Sequence, residues 1–356
     1  MAARIMILAG GTGGHIYPAL AVACELRDQG NEVLWMGSEA GMENRVVPAA
    51  GFPLRRLAVS GFRGKGWLAK LATPFRLIRA CLQAGGILIA DRPQVVLGMG
   101  GFVAGPGGFM ARLFGIPLVI HEQNRIPGTT NRILVKCANL ALEAFPGSFP
   151  ALAGAHCVGN PLRREIAVAV PTKKRLEGSE LKILVVGGSQ GAAALNHTVP
   201  EALALVGPGV RVWHQTGQAM CQEVEEHYRR LGVVGAKVAP FIEDMAEAYR
   251  WADLAICRSG AMTVSELTAA GLPALLVPFP FAIDDHQTAN ARYLSEAGAA
   301  ILMPQSELTG ERLAAEIQSL LAQPERLADM SRESRRQARL DAASEVASLC
   351  LKQVRP

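Results

Sequence analysis

The sequence lacks the features that define several large protein classes. Only 19% of its 356 residues are charged and half are hydrophobic, which excludes a disordered chain. The seven cysteines include no Cys-x-x-Cys pair and no histidine at metal-ligand spacing, which indicates reduced thiols. The N-terminal apolar run is too short for a signal peptide, and the uncharged runs 93–111 and 267–283 contain glycine or proline. We therefore expect a cytoplasmic protein without a membrane-spanning helix.

The net charge of +5 is small, which argues against nucleic acid as the main partner. Its distribution is uneven, because residues 1–160 contain 15 basic and 8 acidic side chains whereas residues 161–356 contain 21 and 23. Residues 44–90 contain no acidic side chain at all. The basic side chains of this acid-free segment are Arg45, Arg55, Arg56, Arg63, Lys65, Lys70, Arg76 and Arg79.

Two halves of the chain follow one plan. The apolar run Ile5–Ala9 ends in Gly10-Gly-Thr-Gly-Gly14 before helix-like spacing, and Leu181–Val186 ends in Gly187-Gly-Ser-Gln-Gly191 in the same way. In each half a second apolar run, at 95–101 and 254–260, also ends in glycine and is followed by a helix-like stretch and a further strand. This pattern predicts an α/β protein with two doubly wound parallel sheets, in two domains that face each other.

The domain boundary is expected near Gly159-Asn-Pro161, since proline disfavours helix at the residue before it. We therefore expect domains at 1–160 and 161–340. Residues 341–356 are expected to form a C-terminal helix that packs back toward the first domain.

Neither glycine turn matches the motif of a dinucleotide-binding site. The first turn would need a third glycine where Ile16 stands. The strands predicted at Val33–Met36 and Val210–Trp213 are not followed by the acidic residue that binds a ribose.

The segment Arg258-Ser-Gly-Ala-Met-Thr-Val-Ser-Glu266 indicates a nucleotide diphosphate site. A helix that begins at Ala261 would present free backbone N–H groups to a diphosphate, and Glu266 could accept both ribose hydroxyls. Glu266 could equally be an ordinary acid near a helix N-terminus. The chain contains no Asp-x-Asp, so a metal-chelating site lacks its ligands.

Five motifs together resemble one family. They are Gly10-Gly-Thr-Gly-Gly-His15, Gly98-Met-Gly-Gly-Phe-Val-Ala-Gly-Pro-Gly-Gly108, His121-Glu-Gln-Asn124, Gly187-Gly-Ser-Gln-Gly191 and Arg258–Glu266. In this order and spacing they resemble the MurG family of bacterial GT-B glycosyltransferases. The resemblance implies metal-independent, inverting transfer of N-acetylglucosamine from UDP-N-acetylglucosamine to the C4 hydroxyl of undecaprenyl-diphosphate-linked N-acetylmuramoyl-pentapeptide (lipid I), which forms lipid II. It implies no cofactor.

The resemblance also assigns residues to the donor, the acceptor and the chemistry. The residues implied for UDP-N-acetylglucosamine are Thr12, Gly13, Gly14, Asn124, Arg163, Ser189, Ile242, Ala261, Met262, Thr263, Val264, Ser265, Glu266, Gln287 and Asn290. Among them Ser189 is implied for the diphosphate, and Gln287 and Asn290 are implied for the sugar hydroxyls. Those implied for the acceptor are Gly100, Gly101 and Phe102. His15 is the candidate general base, with Glu122 and His121 in reserve as polar groups just past a strand end and facing the cleft.

Two assignments have alternatives. His15 could instead only hydrogen-bond the acceptor diphosphate, because a helix N-terminus lowers a histidine pKa without proving proton transfer. Phe102 stands where many family members have tyrosine, so an aromatic hydroxyl cannot be essential here.

The lipid acceptor implied by the resemblance predicts a function for the acid-free segment, which is attachment to a membrane surface. Apolar and basic residues interleave there in a pattern suited to an anionic membrane surface, and the residues concerned are Trp67, Leu68, Lys70, Phe75, Arg76 and Arg79. This predicts a peripheral protein at the cytoplasmic face of the inner membrane. The resemblance further implies contacts with other cell-wall synthesis proteins. The alternative is a solvated basic face whose apolar side packs on its own domain.

Two other functions fit the same plan. A UDP-N-acetylglucosamine 2-epimerase shares the two-domain architecture and the donor but needs no membrane surface. A non-catalytic, sugar-nucleotide-binding membrane subunit would bind the donor without releasing UDP.

Overall fold

The computed structural model describes residues 2–59, 73–167, 180–188 and 191–354, and of Thr73 only the backbone. The chain divides into two compact units. Unit 1 comprises Met1–Arg163 and Leu340–Pro356, and unit 2 comprises Arg164–Arg339. The change of unit after Arg163 lies three residues beyond the boundary expected from Pro161.

Unit 1 is built on a parallel sheet, which in the described residues has seven strands in the order β3-β2-β1-β4-β5-β6-β7. The strands are β1 (Arg4–Leu8), β2 (Glu32–Ser38), β3 (Leu54–Leu57), β4 (Val95–Gly98), β5 (Leu118–Glu122), β6 (Leu140–Glu143) and β7 (His156–Cys157). The helices are α1 (Gly13–Asp28), α2 (Glu43–Ala49), α3 (Thr73–Asp91), α4 (Gly101–Leu113), α5 (Thr129–Leu134) and, after unit 2, α14 (Ala342–Leu351).

The central strand β1 shows why this sheet is covered on both faces. Its side chains alternate between two cores: Ile5 and Ile7 pack with residues of α1 and α14, whereas Met6 and Leu8 pack with residues of α3 and α4. All four are fully buried. A continuous apolar run is what a central strand of a doubly wound sheet requires.

Unit 2 repeats the plan, and in the described residues its parallel sheet has six strands in the order β10-β9-β8-β11-β12-β13. The strands are β8 (Leu181–Val186), β9 (Val210–Gln215), β10 (Ala236–Ala239), β11 (Leu254–Cys257), β12 (Ala274–Leu276) and β13 (Ala300–Leu302). The helices are α6 (Arg164–Ala167), α7 (Ala193–Val206), α8 (Cys221–Arg230), α9 (Met245–Trp251), α10 (Ala261–Ala270), α11 (His286–Glu296), α12 (Gly310–Ala322) and α13 (Pro324–Arg336).

One core of unit 2 lies between β8 and two helices. Leu181, Ile183 and Val185 of β8 are fully buried there and pack with side chains of α7 and α12. The fold of each unit is thus the doubly wound, Rossmann-like architecture that the sequence predicts.

The strand orders place the glycine-rich turns where such sheets bind ligands. In unit 1 the order reverses between β1 and β4, and in unit 2 between β8 and β11. Ligands of open α/β sheets bind outside the carboxyl ends of the strands at this switch point. The turn Gly10–Gly14 follows β1, the glycines at 100 and 101 follow β4, and the corresponding turns of unit 2 follow β8 and β11.

The C-terminal residues return to unit 1. Val346, Ala347 and Cys350 of α14 are fully buried in the same core as Ile16 and Ala19 of α1. No helix in the described part of the chain has the length and hydropathy needed to cross a bilayer.

Candidate active site

The first glycine turn of unit 1 ends in an exposed helix N-terminus. Thr12 has an extended backbone (φ −110°, ψ 158°), and α1 begins at Gly13 with no acidic residue in its first turn. The carbonyl of Thr12 accepts the N–H groups of His15 and Ile16, at 3.1 and 3.2 Å. The N–H groups of Gly13 and Gly14 have no intrahelical acceptor, so this end of α1 suits an anion.

A buried carboxylate holds this turn in place. Glu43 of α2 is fully buried, and its Oε2 accepts the Gly11 N–H at 3.2 Å. Its Oε1 accepts the N–H and hydroxyl of Ser38 at 2.8 and 2.6 Å. A Cβ at position 10 would lie 2.6 Å from Oε1, so a larger residue there would displace this carboxylate. Sequence reasoning missed Glu43, because nothing in its local pattern reports a partner 32 residues away.

The second glycine loop packs directly on the first. Gly100 and Gly101 have φ of +96° and +79°, and a Cβ on Gly101 would overlap the Gly10 carbonyl oxygen. A Cβ on Gly100 would lie 2.9 Å from both Cε1 and Nδ1 of His15. α4 begins at Gly101 without an acidic residue in its first turn, and the Phe102 ring is exposed beside it.

His15 therefore lies between the two glycine loops. Its ring is half-buried, and Nδ1 is 2.9 Å from Oε1 of Gln123. Within the described residues Nε2 has no hydrogen-bond partner. This is the arrangement of a histidine whose outer nitrogen is available to a substrate.

His121 does not have the placement expected of a reserve base. It lies within β5 rather than after it, is fully buried, and has both ring nitrogens occupied, by Gly159 O at 2.9 Å and Gln123 Nε2 at 3.1 Å. Burial lowers the pKa of His121 to about 4, so the ring is neutral at pH 7. The expectation that it is accessible beyond a strand end is wrong.

Glu122 is also interior, and its carboxylate is fully engaged. Oε1 accepts the backbone and side-chain N–H groups of Asn124 at 2.9 and 3.3 Å. Oε2 accepts Gly128 N–H at 3.1 Å and Asn131 Nδ2 at 2.9 Å. Glu122 therefore shapes the loop that carries the half-buried Asn124, and the expectation that it faces a substrate is wrong.

Arg163 is the last residue of unit 1 and lies near the start of α1. Its guanidinium carbon is 5.5 Å from the centroid of the Tyr17 ring, a cation–π distance. Tyr17 in turn borders Gly13, where a Cβ would be 3.1 Å from the ring. A positive charge is thus held beside the helix N-terminus.

In unit 2, α10 begins at Ala261 as the sequence predicts. Gly260 is extended (φ −61°, ψ 145°) and its carbonyl accepts the Val264 N–H at 2.9 Å. The N–H groups of Ala261, Met262 and Thr263 consequently have no intrahelical acceptor, and no acid lies in the first turn. The side chains of Ala261 and Val264 are buried, whereas those of Met262, Thr263 and Ser265 are half-buried.

Glu266 projects from α10 as a half-buried carboxylate. The hydroxyl of Tyr249, a buried side chain of α9, donates to its Oε2 at 2.8 Å. This bond orients the carboxylate that is expected from the sequence to accept the ribose hydroxyls. Tyr249 was not identified from the sequence, because the pattern around a helical tyrosine is typical of a residue in the hydrophobic core.

The turn before α10 is tied to α11. Ser259 is fully buried, its hydroxyl donates to Gln287 O at 2.8 Å, and its carbonyl accepts Asn290 Nδ2 at 3.2 Å. Asn290 is itself fully buried, so the expected direct contact with a sugar hydroxyl is not available to it. Gln287 is half-buried, and its Oε1 accepts the Phe279 N–H at 2.9 Å, which leaves Nε2 as a donor.

A buried polar network supports the other glycine turn of unit 2. A Cβ on Gly191 (φ +76°) would overlap the carbonyl oxygen of Thr216, which accepts Asn196 Nδ2 at 3.0 Å. His214 contacts Asn196 Oδ1 at 3.2 Å and the Tyr228 hydroxyl at 2.9 Å. Burial lowers the pKa of His214 to about 3.

Two more residues of unit 2, Ile242 and Ser189, are expected to contact the donor. Ile242 follows β10 with a buried side chain, and its backbone N–H and C=O have no hydrogen-bond partner in the described residues. Ser189, expected at the diphosphate, lies outside the described residues.

The membrane residues are described only in part. Phe75, Arg76 and Arg79 are exposed on α3, whereas Trp67, Leu68 and Lys70 lie outside the described residues. Among described side chains, no cluster of three histidine, cysteine or acidic residues could hold a metal ion.

Comparison with known proteins places the chain in a family. The glycosyltransferase family 28 N-terminal domain matches residues 5–142, and the C-terminal domain of that family matches residues 182–346. The chain is 63% identical over 99% of both lengths to a protein of Methylococcus capsulatus named UDP-N-acetylglucosamine--N-acetylmuramyl-(pentapeptide) pyrophosphoryl-undecaprenol N-acetylglucosamine transferase.

Solved structures agree. The crystal structure of Acinetobacter baumannii MurG is similar with a TM-score of 0.85 and 39% identity, over 98% of this chain and 99% of that one. A UDP-N-acetylglucosamine 2-epimerase is similar with a TM-score of 0.70, over 98% of this chain and 95% of that one, but at 14% identity this shows a common fold alone. The resemblance to MurG is thus confirmed, and the chain belongs to glycosyltransferase family 28.

Proposed function

We propose that this chain transfers N-acetylglucosamine from UDP-N-acetylglucosamine to the C4 hydroxyl of undecaprenyl-diphosphate-linked N-acetylmuramoyl-pentapeptide. The observation that supports this most strongly is the 63% identity, over 99% of both chains, to a relative whose name states this donor and acceptor. The transfer inverts the configuration at the anomeric carbon and uses no metal ion.

Unit 2 holds the donor in this proposal. The first-turn N–H groups of α10 bind the diphosphate together with Ser189, and Glu266 accepts the ribose hydroxyls. The backbone N–H and C=O of Ile242, which have no partner among the described residues, match the acceptor and donor on the edge of a uracil. Gln287 donates through Nε2 to a sugar hydroxyl, whereas Asn290 supports the site through its bond to Ser259 O.

Unit 1 supplies the acceptor site and the base. The N-terminus of α4, with Gly100 and Gly101, binds the acceptor diphosphate, and the exposed Phe102 ring packs against the acceptor. Thr12, Gly13, Gly14, Asn124 and Arg163 are proposed to contact the donor sugar or its diphosphate from this unit.

The proposed chemistry is a single displacement. His15 Nε2 takes the proton of the acceptor hydroxyl as the oxygen bonds to the anomeric carbon. The bond between that carbon and the β-phosphate oxygen breaks, and its electron pair leaves with UDP. The N-terminus of α10 stabilises the developing negative charge without a metal ion.

Membrane attachment is the finer part of the proposal. Phe75, Ile78 and Leu82 of α3 recur at helical spacing and are 78%, 58% and 69% exposed. The opposite face of the same helix is buried through Ala80, Ala84 and Leu88. A helix that is apolar on its solvent side, with Arg76 and Arg79 beside that face, suits an anionic bilayer surface. We therefore place the protein peripherally at the cytoplasmic face of the inner membrane, where other cell-wall synthesis proteins would be within reach.

The experiment is an assay of UDP release with and without the lipid-linked acceptor. Acceptor-dependent release supports transfer. Formation of the manno epimer from UDP-N-acetylglucosamine alone would favour the epimerase, which shares only the fold with this chain. Donor binding without any UDP release would favour a non-catalytic subunit.

A further inference from the structure

Gln123, to which the sequence assigned no role, lies between two histidine rings. It follows β5 and is buried, and its backbone carbonyl accepts Asn160 Nδ2 at 3.0 Å. One end of its carboxamide, Oε1, is 2.9 Å from Nδ1 of His15. The other end, Nε2, is 3.1 Å from Nδ1 of His121. A single side chain therefore links the candidate base to the interior of unit 1.

The direction of this hydrogen-bond chain is set at its buried end. Nε2 of His121 faces the carbonyl oxygen of Gly159 at 2.9 Å, and a carbonyl can only accept, so this nitrogen has the proton. Burial lowers the pKa of His121 to about 4, so at neutral pH the ring has one proton and Nδ1 must accept.

The carboxamide orientation follows from that of His121. Only the NH₂ group of Gln123 can donate to Nδ1 of His121, and the same group is 3.2 Å from the His121 carbonyl oxygen, a second acceptor. Oε1 must then face His15. Because an amide oxygen accepts, Nδ1 of His15 donates.

We propose that Gln123 is a positioning residue that holds His15 in the Nδ1–H tautomer, so that Nε2 is the one ring nitrogen able to take a proton. The neutral imidazole has a single N–H, and the Gln123 oxygen fixes which nitrogen has it. The close packing of the His15 ring against Gly100 restricts the position of Nε2. The kinetic consequence rests on the proposed function, whereas the tautomer itself does not.

The first test reads the tautomer in the intact free protein. Long-range proton–nitrogen spectra of histidine-labelled protein are recorded at about pH 8, above the ordinary histidine pKa of about 6.5, with His15→Gln used for assignment. The expected result is a protonated Nδ1 and an unprotonated Nε2 for His15, with the opposite tautomer for His121. A His15 protonated at Nε2 would overturn the proposal without any variant having to fold.

The second test removes the amide. Gln123→Met keeps the volume but neither accepts from His15 nor donates to His121, so we expect His15 to lose its single tautomer. We expect kcat to fall roughly 10- to 100-fold while KM for UDP-N-acetylglucosamine changes less than about threefold. Asn131→Leu is the matched control for the tautomer, because Asn131 is an equally buried amide that donates to His121 O and Glu122 Oε2 and, among the described residues, to no ring nitrogen. It should leave the His15 tautomer unchanged.

The outcomes separate the inference from the proposed function. A Gln123→Met protein that keeps the Nδ1–H tautomer, or that loses it with unchanged kcat, overturns the role of Gln123. A wild-type protein with the expected tautomer but no transfer activity would contradict the proposed function and leave the assignment of the tautomer intact.

Discussion

Gly100 lies against the imidazole ring of His15, so closely that a Cβ at position 100 would be 2.9 Å from two ring atoms. Gly100→Ala should therefore displace the ring, and we expect kcat to fall about 10-fold or more. The substitution also costs about 1–3 kcal/mol of stability, because φ +96° with ψ −172° is a backbone conformation that essentially only glycine adopts.

Gly30→Ala separates these two effects. Gly30 has φ +82°, but a Cβ there would have nothing within 4 Å. Both variants should lower the melting temperature, and only Gly100→Ala should lower kcat. Equal kcat in the two variants would show that the contact with His15 has no catalytic value.

Donor affinity should depend on the pair Tyr249 and Glu266. Glu266→Ala removes a charged hydrogen-bond acceptor, worth about 1.5–3 kcal/mol, so donor binding should weaken roughly 10- to 100-fold. Tyr249→Phe leaves the carboxylate but removes the 2.8 Å bond that orients it, so a weakening of roughly 2- to 10-fold is expected. Calorimetric titration with UDP measures both. Undiminished UDP affinity in Glu266→Ala would rule out the ribose role.

Much of the fold was predictable because it depends on local patterns. The run at 181–186 is β8, the glycine pairs mark the ends of β1 and β4, and α10 begins at the predicted Ala261. Apolar runs and glycine turns are short-range signals, and parallel sheets of this kind leave few alternative topologies.

The buried polar groups were not predictable from those patterns. His121 and Glu122 are polar and follow an apolar run, so they read as residues beyond a strand end, yet β5 continues through both. Gln123 and His15 are 108 residues apart, and Glu43 and Gly11 are 32 apart. Such partners are fixed by tertiary packing, which a single sequence does not report.

The free energy of unfolding should decrease as the pH is lowered, because the folded state holds two buried histidines in the neutral form. The folded pKa values of His121 and His214 are about 4 and about 3, below the unfolded value of about 6.5. Between these values the unfolded chain binds more protons than the folded one, so stability is full above about pH 6.5 and declines as pH falls toward 4. For His121 alone the loss at pH 4 is roughly 3 kcal/mol.

Urea midpoints between about pH 7.5 and 4.5 measure this decline. His214→Gln should be less stable at pH 7.5 but lose less stability on acidification than the wild type. A parallel pH dependence in the two proteins would show that His214 does not contribute.

Vesicle binding should depend on the exposed face of α3. Replacing Phe75, Ile78 and Leu82 by serine should weaken binding to phosphatidylglycerol vesicles about 10-fold or more, since each buries apolar surface in the bilayer interface. Added salt should weaken the wild type too, because Arg76 and Arg79 contribute about 1 kcal/mol each near an anionic surface. Sedimentation with vesicles measures both effects.

Leu205→Ser with Val234→Ser is the control for that surface. Both side chains are also exposed, but they lie in unit 2. Equal losses of vesicle binding in the two sets would mean that α3 is no special docking face.

The central claim is tested most directly by single-turnover transfer of N-acetylglucosamine to the lipid-linked acceptor, with His15→Ala compared to wild type. His156→Ala is the matched control, because His156 is an exposed histidine of the same unit. We predict disaccharide product with wild type and His156→Ala, and a rate roughly 100- to 10,000-fold lower with His15→Ala at unchanged UDP affinity. No acceptor-dependent product with the wild type, or an undiminished rate with His15→Ala, would contradict the account.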